Sequence, residues 1–77
     1  VSMKIKIDLN KILADANDEI DLLPYLVKLE LQSLGIPIII DPTDVRDPDF
    51  QITEGRLDYV INAETMIMEI TYYERAA

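Results

Sequence analysis

A chain of 77 residues with 15 acidic and 7 basic side chains, no histidine and no cysteine carries a formal charge of −8. This acidic balance argues against direct binding to nucleic acid or to anionic membranes, because both interactions need Lys and Arg against phosphates. The missing His and Cys remove the usual groups for proton transfer and thiol chemistry, so we predict no enzyme, no cofactor and no metal site.

The length corresponds to one small α+β domain over residues 1–77, with a core of limited size. Because 49% of the residues are hydrophobic and no disulfide can help, we expect a homo-oligomer, most simply a dimer. We see no apolar stretch of about 18 residues for a membrane span and no signal peptide, and we expect a cytoplasmic protein. We also expect Met3 to be the natural first residue, with Val1-Ser2 added ahead of it.

The first predicted element is a strand over residues 4–9, where polar and apolar side chains alternate. Lysines on its outward side are typical of a protected edge strand. Asn10 then predicts the N-cap of a short helix that ends near Asn17.

The main helix is predicted over residues 22–34. Asp21 can cap its beginning, and Pro24 is tolerated in its first turn because the early N–H groups have no intrahelical partner. Gly35 at the left-handed position after the helix and Pro37 beyond it both predict its end.

This helix carries two apolar stripes instead of one. The first comprises Leu23, Val27, Leu31 and Leu34, and the second, nearly opposite, comprises Leu22, Tyr25, Leu26 and Leu29. Lys28 and Gln32 predict a narrow polar strip. One stripe must cover the sheet; the second needs the short helix, a second subunit or a partner to cover it, because large bare apolar patches are rare on monomers.

The rest of the chain predicts strands. Residues 36–41 lack alternation, which is typical of a strand covered on both faces, and residues 50–53 predict a short strand before a turn at Glu54-Gly55. Two further strands follow, one containing Leu57, Tyr59 and Ile61 and the last over residues 66–73. The predicted fold is therefore a mostly antiparallel sheet in the order β-α-α-β-β-β-β, with helices on one face.

The acidic loop, residues 41–49, is the one cluster that could carry chemistry. Its aspartates and prolines are common turn formers, and this is the simplest interpretation. Together with two later carboxylates the loop could instead meet a basic partner. The candidate residues are Asp41, Asp44, Asp47, Asp49, Glu54 and Asp58. A hard-cation site is a third interpretation, although the spacing does not match an EF-hand.

Three tyrosines lie in the last two predicted strands. Tyr59 and Tyr72 share a face with apolar residues, which predicts that they belong to the core. Tyr73 falls on the other face and is predicted to be a surface contact.

The leading functional hypothesis is a non-enzymatic acidic protein-binding module. In its concrete form the chain regulates or inhibits a nucleic-acid-handling protein by occupying its basic surface as a nucleic-acid mimic. The alternative is a structural or assembly subunit, with the second apolar stripe as an oligomer interface. A divalent-metal enzyme built on the acidic loop is a third hypothesis. The predicted apolar interface residues are Leu22, Tyr25, Leu26, Leu29 and Tyr73.

Overall fold

The computed structural model describes residues 2–74, and its framework is a three-stranded antiparallel sheet in the spatial order β1-β3-β2. The strands are β1 (Ser2–Asp8), β2 (Arg56–Asn62) and β3 (Ile67–Tyr73). The central strand β3 pairs with both neighbours along its whole length, so β1 and β2 each form an edge of the sheet. The expectation about Val1 concerns a residue outside the described range.

Two α-helices follow β1 and pack on one face of the sheet, as the sequence predicts. They are α1 (Leu9–Asp15) and α2 (Leu23–Ser33), with a 3-10 helix (Ile20–Leu22) between them. The core takes alternate residues from β1 and β3 and residues of both helices. Its buried apolar members are Ile7, Leu9, Val27, Leu31, Ile36, Ile38, Met68, Ile70 and Tyr72. Of the first predicted apolar stripe, Val27 and Leu31 belong to this core and Leu23 packs against it, whereas Leu34, just after α2, is exposed.

The predicted strand order is wrong in one region. Residues 36–41 and 50–53 form no strands; they meet in one isolated antiparallel bridge between Ile38 and Ile52. Pro37 has no N–H to donate, and the turns of residues 41–49 separate the two segments, so the ladder does not extend. Ile36 and Ile38 are buried, whereas Ile39, the residue after Ile38, is exposed, which shows that this run is not covered on both faces. The order is β-α-α-β-β.

The helix starts also differ from the prediction. Asp8, not Asn10, caps α1, since its Oδ1 accepts hydrogen bonds from the backbone N–H of Asn10 (3.1 Å) and Lys11 (3.3 Å). Asp21 lies within the 3-10 helix, and Leu22 occupies the N-cap position of α2 without a side-chain hydrogen bond. α1 begins directly after β1, and α2 begins directly after the 3-10 helix.

The end of α2 is confirmed as predicted. Gly35 has φ of +94°, the left-handed conformation that glycine adopts without steric cost. The N–H of Ile36 donates to the carbonyl of Leu31 and that of Gly35 to the carbonyl of Gln32, each at 3.1 Å. These two bonds form a Schellman motif, and the buried side chains of Ile36 and Leu31 both belong to the core.

None of the helices described in residues 2–74 combines the length and the apolar character that a membrane crossing requires.

Candidate protein-binding surfaces

The acidic loop is shaped by its own aspartates. Oδ1 of Asp41 accepts hydrogen bonds from the backbone N–H (2.9 Å) and the hydroxyl (2.6 Å) of Thr43. Oδ1 of Asp47 accepts the backbone N–H of Asp49 at 3.0 Å. Both hydrogen bonds from Thr43 stabilise the ionised carboxylate and so hold the pKa of Asp41 below its ordinary value. The hydroxyl has the larger effect and the backbone N–H the smaller one. Two of the four loop aspartates thus stabilise turns, as the simplest interpretation of the sequence expects.

Lys28 attaches this loop to α2, a contact absent from the sequence-based predictions. Its side chain is only 4% exposed, although the helical pattern places it on a polar strip. The ammonium donates to the backbone carbonyl of Asp47 at 2.8 Å and lies 5.8 Å from the centre of the Phe50 ring. A buried ammonium needs such partners, because burial without them is costly. The sequence contains one indication of this burial. Lys28 precedes the core residue Leu31 by three positions, and residues three apart lie on the same face of a helix.

The remaining predicted carboxylates do not join the loop. Asp58 shares a sheet face with Thr71 and Lys4, opposite the face that the helices cover, and pairs with Arg56 at 3.2 Å. The loop lies on the helix side, where Lys28 holds it. Glu54 stands in the turn before β2, and its carbonyl accepts a bond from the Tyr72 hydroxyl at 3.4 Å. The structure therefore divides the predicted acidic set between two faces of the molecule.

The second apolar stripe of α2 lines a groove between the two helices. One wall is formed by Leu22, the last residue of the 3-10 helix, with Leu26 and Leu29 of α2; the other is formed by Ile12 of α1 and Ala16, which follows α1 directly. The groove has a volume of about 380 Å³, and Leu29 on its wall is 38% exposed. The short helix thus covers this stripe only in part. Tyr25, which belongs to the same predicted stripe, is half-buried.

Acidic side chains border this groove. Asp15 at the end of α1 and Glu30 on α2 belong to its lining together with Ser33, whose hydroxyl donates to the carbonyl of Glu30 at 2.7 Å. The groove lining found within residues 2–74 contains no lysine or arginine. Neither Asp15 nor Glu30 was among the predicted partner-binding carboxylates, although the spacing of Glu30 from Leu26 and Leu29 could have indicated it.

The outer face of the sheet carries Tyr73. Its ring is exposed and lies under the guanidinium of Arg56, with 4.3 Å between the guanidinium carbon and the ring centre. Lys6 and Glu69 form an exposed ion pair on the same face at 3.6 Å. Tyr73 is therefore on the surface, as predicted, and its role as a partner contact stays a prediction.

The prediction that Tyr59 belongs to the core is wrong. Its side chain is 50% exposed because it lies on the edge strand β2, beyond the cover of α2. It packs edge-on against Phe50, with 5.4 Å between the ring centres. Tyr72 on the central strand β3, where it pairs with Leu57, is buried as predicted, and this burial raises the pKa of its hydroxyl, helped by the charges of Glu54 and Glu74.

Among the described residues, no three acidic side chains gather closely enough to hold a metal ion. No family model, curated protein or solved structure matches the chain. The surfaces described above are therefore the basis for a functional assignment.

Proposed function

We propose that this chain is a non-enzymatic protein-binding module that holds a basic, amphipathic segment of a partner in the groove between α1 and α2. The observation that carries the proposal is the pairing of an apolar groove with carboxylates at its border. The bound segment is part of the partner's basic surface. Where the partner uses this surface to bind nucleic acid, occupying it would regulate or inhibit the partner.

The apolar wall supplies the contact area. Leu22, Leu26 and Leu29 recur at the spacing of one helix face, and Ile12 faces them across the groove. An amphipathic helix can lay its own leucines into such a groove, which is a recurring mode of peptide recognition. The half-exposed state of these leucines leaves apolar area for a partner to cover.

The carboxylates at the groove border and the net charge of the chain both favour a positively charged partner. Asp15 and Glu30 border the groove, so they can pair with lysines that flank the apolar face of a bound helix. A net charge of −8 attracts a basic segment over a longer distance and repels an acidic one. Complementary charge of this kind speeds association and makes it sensitive to salt.

The test uses a fluorescent amphipathic peptide of leucine and lysine, about 14 residues long so that it can form a helix. Fluorescence anisotropy measures its dissociation constant at low and high salt. The double variant Asp15→Asn/Glu30→Gln should weaken binding about fivefold, because each exposed ion pair contributes about 0.5 kcal/mol. Leu26→Ser should weaken it more, since it removes apolar contact from the wall.

The matched control is Asp44→Asn/Asp49→Asn, which makes the same charge change on the acidic loop. Binding by this variant should stay within about twofold of the original chain, because only the long-range attraction is reduced. Circular dichroism melting curves check that each variant is folded. Equal weakening by both double variants, or stronger weakening by the loop variant, would reject the groove as the binding site.

A further inference from the structure

The strand β2 is open on its free side. It ends the sheet, and in residues 2–74 no other strand pairs with it besides β3. Three consecutive side chains are unusually exposed for their size: Tyr59 at 50%, Val60 at 62% and Ile61 at 47%. Exposed edge strands of this kind are templates for pairing with another chain, because alternate backbone N–H and C=O groups point outward without a partner.

The two edge strands differ in how strongly their charges oppose pairing with another chain. On β1 the outward residues Lys4 and Lys6 both carry positive charge, although Lys6 pairs with Glu69 at 3.6 Å, and edge lysines are a common protection against pairing. On β2 the only charges are Arg56 and Asp58, which neutralise each other at 3.2 Å. β2 is thus a locally neutral strand on a chain of charge −8. Two such chains repel each other elsewhere and can approach closely along β2.

Apolar surface continues from β2 onto the helix side. Tyr59 and Ile61 line a cavity of about 180 Å³ together with Leu23, Pro48 and Phe50. This cavity is mainly apolar, in contrast to the charged surface around it. A chain that pairs with β2 would therefore also cover these side chains, which adds hydrophobic burial to the backbone hydrogen bonds.

We infer that β2 is a homodimerisation strand, on which a second copy of this chain pairs its own β2 antiparallel about a two-fold axis through Tyr59. A two-fold axis perpendicular to a sheet places each residue of one strand opposite a residue of its copy. Centred on Tyr59, this register uses all of Arg56–Asn62. The product is a continuous six-stranded sheet, from two sheets of three strands each, with the helices of both copies on one face.

This register also places compatible side chains opposite each other in the two copies. Leu57 lies opposite Ile61 of the second copy, so apolar residues meet on the helix side. Asp58 lies opposite Val60 of the second copy, and like charges do not face each other directly. A register centred on Asp58 would instead bring two aspartates together on the axis. The sequence of β2 is therefore self-complementary about Tyr59.

The test is a matched pair of variants at one position. Val60→Asp places a carboxylate opposite Asp58 of the second copy, and the two-fold axis repeats the repulsion, so the dimer dissociation constant should rise about tenfold. Val60→Lys places an ammonium there and should keep or strengthen the dimer. Sedimentation equilibrium over a range of concentrations measures both constants. An original chain that stays monomeric at all concentrations, or the same effect from both variants, would overturn the inference.

Cross-linking gives a second readout that does not depend on stability. Because the chain has no cysteine, Tyr59→Cys introduces a single thiol, and it lies on the proposed axis. Under mild oxidation this variant should form a covalent dimer, since paired strands hold opposite Cα atoms within disulfide range. Lys4→Cys on the other edge is the control and should remain monomeric. Equal cross-linking of both variants would contradict dimerisation through β2.

Discussion

The ammonium of Lys28 donates a hydrogen bond of 2.8 Å to the backbone carbonyl of Asp47, which lies 19 positions later in the chain. This contact joins α2 to the acidic loop, and the Phe50 ring lies beside the ammonium, with its centre 5.8 Å away. A helix residue with a charged side chain thus acts as an anchor for a segment without regular secondary structure.

Replacing Lys28 with Met should destabilise the fold by about 1–2 kcal/mol, because the part-buried carbonyl of Asp47 loses its donor while the aliphatic stem is kept. Urea unfolding followed by circular dichroism measures this change. Lys11→Met is the control, since Lys11 is exposed on α1, and its effect should stay within about 0.5 kcal/mol. Equal midpoints for the two variants would show that the anchor contributes nothing.

The two glycines should differ in their tolerance of alanine. Both have positive φ, so Gly35→Ala should cost about 1–2 kcal/mol through backbone conformation alone, because open space surrounds its Cβ position. Gly55→Ala should cost more, since its Cβ would also clash with the backbone carbonyl of Tyr73 and approach the Tyr72 ring. Thermal unfolding of both variants tests the order, and a smaller loss at Gly55 would contradict it.

Removal of the Thr43 hydroxyl should raise the pKa of Asp41 towards its ordinary value of 3.8, because that hydroxyl is the main cause of the lowered pKa. Since ionised Asp41 is favoured in the folded state, its contribution to stability is present above pH 3.8 and is lost as the pH falls through the folded pKa. Carboxyl carbon shifts in NMR titrations of the original chain and of Thr43→Val measure this pKa. An unchanged pKa in the variant would show that the hydroxyl does not stabilise the carboxylate.

Tyr72 should make the fold sensitive to alkali. Its pKa is raised above 10.0, first by burial and then by Glu54 and Glu74, so the neutral hydroxyl is favoured in the folded state. The resulting stability is present below pH 10 and is lost as the pH rises through the folded pKa. Tyr72→Phe should lose less stability between neutral and strongly alkaline pH than the original chain. Identical losses in urea unfolding across this range would reject a role for this hydroxyl.

Local signals in the sequence predicted the local parts of the fold. The alternation in β1 and β3 placed their inward residues correctly, and Gly35 marked the end of α2, because each depends on neighbours within one element. Such local signals could not predict that residues 36–41 and 50–53 would meet only in an isolated bridge between Ile38 and Ile52. Whether two β-branched segments extend a ladder depends on the turns and prolines between them, and not on propensity alone.

The candidate surfaces were predictable to a similar degree. The spacing of Leu22, Leu26 and Leu29 indicated a second apolar stripe, and the structure places these three in one groove. Alternation could not show that Tyr59 lies on an edge strand, since strand order is a property of the whole sheet. Nor could it show which carboxylates border the groove, because Asp15 and Glu30 come from different helices.

The most direct test of the proposed function is NMR mapping of the amphipathic leucine-lysine peptide on the isotope-labelled chain. The proposal predicts that the largest backbone amide shifts on titration occur at Ile12, Ala16, Leu26 and Leu29, on the two walls of the groove. Shifts concentrated in residues 41–49, or scattered without a continuous surface, would contradict binding in the groove between α1 and α2.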